Sequence, residues 1–348
     1  MADAAFLVPG DLAAQTGGYA YARALLANLP DQGLAIRHIA LPGGFPSPTA
    51  DDIAETERLI ASIPPDVPLL IDGLAYGAFP RALAAAIPNP IAALVHHPLC
   101  LENGIDAAAA DALQASERAA LRHADHAIAA SPTTARSLRD LFQVPPDRIS
   151  VALPGTEPAP RSTGSQSATT ALLAVGTLTP RKGYDVLIDA AVALTDLNWH
   201  LTIVGDATRA PETVQALRQR IEVACLGDRV TMTGAIDHDA LNAAYAGADV
   251  FVLASHYEGY GMVLAEALAR GLPIVTTTGG AAAETVPDAA ALKVPPADAR
   301  ALSDAVGTMI RDEAQRRACA DAAWRAGQAL PTWAETAARI ARVLREVS

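Results

Sequence analysis

The chain reads as an α/β protein with two doubly wound parallel sheets, each flanked by helices. Three observations predict this. Short apolar runs alternate with longer helical patterns from end to end, the signature of repeated βα units. At 348 residues the chain is long for one domain and ample for two, each with its own core. Between residues 154 and 168 the apolar periodicity gives way to Pro, Gly, Ser and Thr, a linker composition. The expected organisation is a first Rossmann-like domain over 1–153, the linker over 154–168, a second Rossmann-like domain over 169–330, and a last helix over 331–348.

In the first domain the expected strands are 5–8, 35–40, 68–71, 91–95, 126–130 and 149–152, with helices at 18–28, 51–62 and 107–122 between them. Ser131 before Pro132 reads as an N-cap followed by proline at the first helical position. The second series has strands at 171–175, 201–204, 230–232, 250–253 and 274–276, and ends in helices from Asp298 onward. Two such sheets place a ligand cleft at the carboxyl ends of their strands, between the domains. The segment from Pro331 to Leu344 is an amphipathic helix.

Composition excludes several functions. A net charge of −12, with nine arginines, no lysine and sixteen acids in residues 1–152, leaves no polybasic patch for a nucleic acid or an anionic membrane. Cys100, Cys225 and Cys319 are odd in number and far apart, which fits reduced thiols in a cytoplasmic protein. No apolar run is long enough to span a bilayer. The expectation is therefore a cytoplasmic protein with no integral membrane segment and no nucleic-acid partner.

The most informative stretch is Ser255-His-Tyr-Glu-Gly-Tyr-Gly-Met-Val-Leu-Ala-Glu266. A strand feeds a glycine-bearing turn, and the turn opens a helix. Free N–H groups and the positive end of a helix dipole make such a place a site for anions. With Glu258 just before the helix and Glu266 inside it, the two carboxylates stand ~12 Å apart along the axis at about 1.5 Å per residue. Each carboxylate accepts hydrogen bonds from a vicinal diol, so the span suits sugar rings on either side of a pyrophosphate. Glu258 as an ordinary loop residue and Glu266 as a solvated helix residue is the plainer alternative.

These residues resemble the Glu-x7-Glu signature of the retaining glycosyltransferases of family 4, and the resemblance continues through most of the chain. It implies the GT-B fold, with the last helix crossing back to the first domain and Trp333 as its entry residue. Val175-Gly-Thr-Leu-Thr-Pro-Arg-Lys-Gly183 is similar to the family's run in which cations hold the donor pyrophosphate, which assigns Arg181 and Lys182. Family members often carry an arginine directly after the first glycine, where this chain has Thr177. Fixed cations also answer a chemical need, because breaking the bond from C1 to the nucleoside diphosphate puts charge on the leaving group. By the same resemblance Glu258 binds sugar hydroxyls, Gly259, Tyr260, Gly261, Met262 and Val263 offer backbone groups, and Glu266 holds the ribose. Gly205 and the Thr233-Gly234-Ala-Ile236 stretch correspond to donor-binding turns, Gly234 and Ile236 on the nucleobase side. In the first domain Gly17 and Gly18 match a glycine loop near the phosphates and the acceptor, although a simple tight turn also accounts for them.

Val95-His96-His97-Pro98 ends a strand where related enzymes carry a histidine facing the transferred sugar. Neighbouring strand residues point to opposite faces, so at most one serves; the pattern favours His97 and leaves His96 open. Asp237-His238-Asp239 has the form of a metal-binding Asp-x-Asp, but as a helix start it reads as an N-cap and first turn, and no metal or other cofactor is expected.

The expected activity is transfer of a hexose from a UDP- or GDP-sugar to a hydroxyl acceptor, a small molecule or a glycan, with retention and without a metal. No carboxylate of the first domain stands out as a nucleophile, so a same-face displacement is preferred to a double one. The alternatives are a catalytically silent nucleotide-sugar-binding protein and a sugar-nucleotide epimerase. The epimerase needs acid/base carboxylates in the first domain and lacks the Ser-x-x-Glu-Gly-x-Gly context.

Overall fold

A computed structural model describes residues 3–102 and 104–348. The chain divides into two compact units, Met1–Gly155 with Pro331–Ser348 and Thr156–Leu330.

The first unit carries β1 (Ala4–Pro9), α1 (Gly17–Asn28), β2 (Ile36–Leu41), α2 (Ala50–Ala61), β3 (Leu69–Asp72), α3 (Gly73–Tyr76), α4 (Arg81–Ala86), β4 (Ile91–Val95), α5 (Ala107–Leu121), β5 (His126–Ala129), α6 (Pro132–Asp140) and β6 (Ile149–Val151). Its strands pair in parallel in the order β2-β1-β3-β4-β5-β6. Every residue of β1, β3 and β4 is buried, as expected when helices cover both faces of a parallel sheet.

The second unit carries β7 (Thr170–Val175), α7 (Tyr184–Val192), β8 (Trp199–Val204), α8 (Pro211–Val223), β9 (Val230–Gly234), α9 (His238–Ala246), β10 (Val250–Leu253), α10 (Met262–Ala269), β11 (Ile274–Thr277), α11 (Ala282–Thr285), β12 (Ala291–Val294), α12 (Ala299–Arg311) and α13 (Glu313–Gly327). The strand order β12-β11-β10-β7-β8-β9 reverses direction between β10 and β7. That reversal opens a crevice outside the carboxyl ends of β7 and β10.

A last helix, α14 (Trp333–Val347), belongs to the first unit. It starts with a capping box between Thr332 and Glu335. Trp333 meets the buried Tyr21 edge-on at 5.3 Å between ring centroids, and Thr336 donates to the Leu153 carbonyl at 2.7 Å. The sequence reading of α14 as a helix that returns to the first domain therefore matches the structure.

Two features differ from expectation. The whole of 154–168 reads as a linker, yet the unit boundary falls between Gly155 and Thr156, and the segment after it is tied to the second unit. Ser162 N–H donates to the Arg270 carbonyl at 2.8 Å, and Ser165 N–H donates to Asp249 at 3.0 Å. The small polar residues that suggest flexibility are the groups that make these bonds. The strand β12 escapes the sequence reading because its four residues include Lys293, whose ammonium leaves the strand to bond the Ala283 carbonyl and Asp288.

One buried carboxyl stands out in the core of the first unit. Glu117 of α5 is 1% exposed and accepts from Leu99 N–H at 3.0 Å, while its Oε1 has no hydrogen-bond partner. Burial outweighs that single bond and pushes the carboxyl up to about 8. The folded protein thus holds a proton that the unfolded chain releases above about 4.5. Stability from this group is complete below that value and falls as pH rises through about 8. The neutral isostere Glu117→Gln should therefore raise the melting temperature at pH 8 by about 2–4 °C, for a gain on the order of 1 kcal/mol. It should also flatten the decline between pH 5 and 8, read by thermal unfolding across that pH range. An unchanged slope would mean that Glu117 is not the group responsible.

Candidate functional site

The loops that follow β7 and β10 meet at the reversal point of the second sheet. After β7 the chain makes a short 3-10 turn over Pro180–Lys182, so Arg181 and Lys182 point from a rigid step between strand and helix. His256 N–H donates to the Arg181 carbonyl at 2.8 Å, which joins that step to the loop after β10. Glu258 is anchored in the second loop by its own backbone. Its N–H donates to the Gly279 carbonyl at 3.2 Å, and its carbonyl accepts from Ala281 N–H at 2.7 Å.

Glu258 is 4% exposed, and its side chain is the hub of the site. Oε1 accepts from Lys182 Nζ at 2.6 Å and from Ser255 Oγ at 2.6 Å; Oε2 lies 3.5 Å from Arg181 Nη1. Arg181 Nη1 also donates to the Tyr257 carbonyl at 2.8 Å. Burial alone would raise the carboxyl. The charges of Lys182 and Arg181, with the hydrogen bonds from Lys182 and Ser255, outweigh it and hold the group at about 2.

Gly261 begins α10 in the left-handed region, at φ +88°, where a side chain is strained, and no side chain caps the helix. The first-turn N–H groups at Met262 and Val263 are therefore left without a capping side chain. Tyr260 is buried, and its carbonyl accepts from Thr285 Oγ1 at 2.6 Å, which holds the turn closed. Glu266 stands one turn into α10, with Oε2 accepting from Tyr245 Oη at 2.8 Å. Burial raises this carboxyl; the Tyr245 hydrogen bond, Arg270 and His238 oppose the rise without cancelling it. The 12 Å axial estimate needs correction. Glu258 lies four residues before α10 and bridges to Gly280, so the chain between the two glutamates turns instead of rising along one helix.

The loops after β7, β8 and β9 are laced together on the same side of the sheet. Gly176 N–H donates to the Val204 carbonyl at 2.9 Å, and Gly205 N–H donates to the Gly234 carbonyl at 3.0 Å. A Cβ at Gly205 would collide with the Gly176 carbonyl, so the close approach of these turns requires glycine. Gly234 has open space where a Cβ would be, and Ile236 packs partly buried against one of the unit's core clusters. Asp237 is the N-cap of α9 and accepts from Ala240 N–H at 2.8 Å, the role expected from sequence. Among the described residues no group of three or more His, Cys, Asp or Glu is arranged to hold a metal ion.

In the first unit Thr16 caps α1, so Gly17 and Gly18 are its first residues. A Cβ at Gly18 would lie 3.7 Å from Cδ2 of His96, an ordinary contact, so the fold itself does not demand glycine there. The two histidines diverge in their surroundings. His96 is the one beside the glycine turn, with its Nε2 3.2 Å from Oδ2 of buried Asp72 and its ring edge-on to Tyr21 at 5.2 Å. His97 turns to Glu102, with Nε2 3.2 Å from Oε2. The sequence could not separate them, because Asp72 comes from β3 and the pairing of β3 with β4 is a tertiary fact. Asp72 and Tyr245 are the residues that sequence reasoning passed over, and Ser255 was read only as part of the motif, without its bond to Glu258. Each ends or follows an ordinary apolar element, and only the fold brings it to its partner.

Comparison with known proteins agrees with this geometry. The family model described as glycosyl transferases group 1 matches residues 156–325, and the model described as glycosyltransferase family 4 matches residues 36–159. The chain belongs to the group 1/family 4 glycosyltransferases. Mannosylfructose-phosphate synthase of Agrobacterium fabrum is 37% identical over 115 residues, 31% of this chain and 25% of that protein. D-inositol 3-phosphate glycosyltransferase of Thermomonospora curvata is 30% identical over 220 residues, 56% of this chain and 50% of that protein. The matched stretches thus span a quarter to about half of these curated relatives. Among solved structures, sucrose-phosphate synthase from Thermosynechococcus elongatus superposes with a TM-score of 0.84 at 22% identity over 99% of this chain and 98% of the other. Anabaena HepE in complex with UDP and glucose superposes with a TM-score of 0.79 at 18% identity, over 99% and 100%. These likenesses establish the GT-B fold for this family member. Among the described residues no helix is long and apolar enough to cross a membrane.

The Lys182–Glu258 contact is testable as a coupled pair. Lys182→Ala leaves a buried carboxylate with Arg181 and the Ser255 hydroxyl as its remaining named partners and should cost about 3 kcal/mol in urea unfolding. Glu258→Ala should cost a similar amount, and the double variant at least ~1 kcal/mol less than the sum. In the parent protein the contribution of Glu258 is present above about 4.5 and lost as pH falls towards about 2, because its folded value is depressed. Strictly additive losses would sink the coupling.

Proposed function

We propose that this protein transfers a hexose from a UDP- or GDP-sugar to a hydroxyl acceptor, with retention of anomeric configuration and without a metal. The observation that carries the reading is the cluster of Lys182, Arg181 and Glu258 at the mouth of β7 and β10, beside the uncapped start of α10. Cations and an open helix N-terminus on one sheet edge suit a pyrophosphate. The structure of Anabaena HepE in complex with UDP and glucose supports the donor class by fold-level analogy.

In this reading Lys182 and Arg181 take the diphosphate oxygens, and the N–H groups of Met262 and Val263 add partial positive charge. Glu258 receives sugar hydroxyls at the edge of its carboxylate, Glu266 receives the ribose, and the Gly234–Ile236 backbone meets the base. The acceptor oxygen forms its bond to C1 on the face from which the C1–O bond to phosphate breaks. The bonding pair leaves with the diphosphate, and the acceptor proton passes to a diphosphate oxygen. The charge that develops there meets fixed cations, which is the role a metal would otherwise serve. A double displacement through Glu258 is disfavoured, since ion pairs and hydrogen bonds that lower a carboxylate's basicity also make it a poor nucleophile. In the first unit His96, seated beside Gly18 and Asp72, is assigned to the transferred sugar.

The test is a calorimetric and thermal-shift screen against UDP-, GDP-, ADP- and TDP-sugars in EDTA. A donor at a hundred times its dissociation constant should add about 2.7 kcal/mol of stability. Arg181→Ala and Glu266→Ala should each weaken that donor at least ~10-fold, equivalent to about 1.4 kcal/mol. Binding of no nucleotide sugar, with or without metal, would overturn the reading. Once an acceptor is found, His96→Ala should lower kcat by about 100-fold and His97→Ala by less than ~5-fold, since a positioned polar contact in the transition state accounts for losses of that size. The reverse ranking would restore His97.

A further inference from the structure

A second polar assembly lies along the seam where α9 packs on α10. His238, Asn242 and Tyr245 stand at i, i+4 and i+7 on α9, facing Glu266 and the helix-ending Arg270 of α10. The Tyr245 side chain is 0% exposed. Its ring stacks on Phe251 at 5.9 Å with a 21° interplanar angle, and the Arg270 guanidinium lies 4.5 Å from the ring centroid on Tyr245. Arg270 is itself held, donating to the Glu266 carbonyl at 3.0 Å and to Asn242 Oδ1 at 2.6 Å. The phenol is thus clamped, with its hydroxyl directed at Glu266 Oε2 at 2.8 Å.

We propose that Tyr245 is a positioning residue that sets the rotamer and the charge of Glu266. The site thereby distinguishes ribonucleoside diphosphates from their 2′-deoxy counterparts. The inference rests on the reading of Glu266 as the ribose acceptor. A glutamate has three side-chain torsions, and a hydroxyl clamped at one carboxylate oxygen removes most of that freedom. The same bond favours the ionised form against burial, which matters because only the ionised carboxylate is purely an acceptor. With Oε2 engaged by Tyr245, Oε1 is the edge left to accept from a ribose diol. A 2′-deoxy sugar leaves that acceptor underused in a partly buried place, and the loss is selective in a way that general packing is not.

The experiment compares the full-length protein with Tyr245→Phe, Glu266→Gln and the double variant, using UDP, 2′-deoxy-UDP, GDP and 2′-deoxy-GDP as probes in calorimetry. The unaltered protein should bind one ribonucleotide about 10-fold or more tighter than its deoxy form, the range a hydrogen bond to a charged group supplies. Tyr245→Phe should reduce that ratio towards unity while the deoxy affinity stays within about 2-fold, and Glu266→Gln should add nothing further in the double variant. Equal weakening of both sugars would overturn the proposal, because that is what a purely structural tyrosine would give. A second readout needs no nucleotide. The charged and titratable groups facing the Glu266 carboxyl are Tyr245 and His238 from α9 and Arg270 from its own helix. A carbon-13 carboxyl titration, with Glu266 assigned by Glu266→Gln, should show its midpoint higher in Tyr245→Phe. Replacing Tyr245 with 3,5-difluorotyrosine, a stronger donor, should move the midpoint lower and serves if the phenylalanine variant does not fold. An unmoved midpoint in both would overturn the proposal. Failure of the unaltered protein to bind any probe would instead refute the proposed donor, and the titration would still decide the role of Tyr245.

Discussion

The arrangement of the second unit turns on one buried carboxylate. Glu258 is almost wholly out of water, where an isolated charge is costly, so its ionised form persists only because Lys182, Arg181 and Ser255 surround it. That requirement runs in both directions. Two adjacent cations on a short 3-10 step would repel each other and drift into solvent without an anion to gather them. The ion cluster therefore sets the relative position of the loops after β7 and β10, and backbone bonds such as His256 to Arg181 add to it. A site for a polyanion needs cations held in place yet not fully neutralised. One carboxylate shared by two cations leaves a net positive charge.

Topology explains why this cluster forms where it does. In a doubly wound sheet the crossovers leaving β7 and β10 go to opposite sides, which leaves a crevice outside the strand ends where the loops after them are joined. The remaining turns of the same sheet edge are bound into one surface by Gly176 to Val204 and Gly205 to Gly234 contacts. The backbone at this edge is sheet-end backbone, stitched sideways, rather than free loop. The glycine at 205 belongs to that stitching, whereas Gly18 has room for a Cβ and so has no such folding reason.

Legibility in the sequence followed the range of the interactions. Strands with continuous apolar runs, such as Ile91–Val95 and Val250–Leu253, were readable because burial on both faces leaves a local signature. N-caps at Ser131 and Asp237 were readable because capping is a contact over two or three residues. The glutamates, the Arg181–Lys182 pair and the glycine turns were visible as motifs. What could not be read was which of them touch. Lys182 and Glu258 appear in sequence as separate binders and in the fold as partners. The different surroundings of His96 and His97 depended on Asp72 from a neighbouring strand, and the boundary at Gly155 depended on hydrogen bonds between residues far apart in sequence.

The two glutamates of the motif show how one sheet edge can hold like residues in unlike states. Glu258 meets two full positive charges and is driven down; Glu266 meets a neutral phenol, a guanidinium engaged elsewhere and burial, and is driven up. Their chemistry diverges accordingly. A carboxylate already engaged by two cations offers a weak, directional acceptor edge, which under the proposed function would suit a sugar that must remain free to react. A carboxylate whose basicity is raised accepts more strongly, which under the same proposal would suit a ribose that must stay bound. Eight positions in sequence separate the residues. The difference between them comes from what the fold sets opposite each: the cationic step after β7 for one, and the α9 seam for the other.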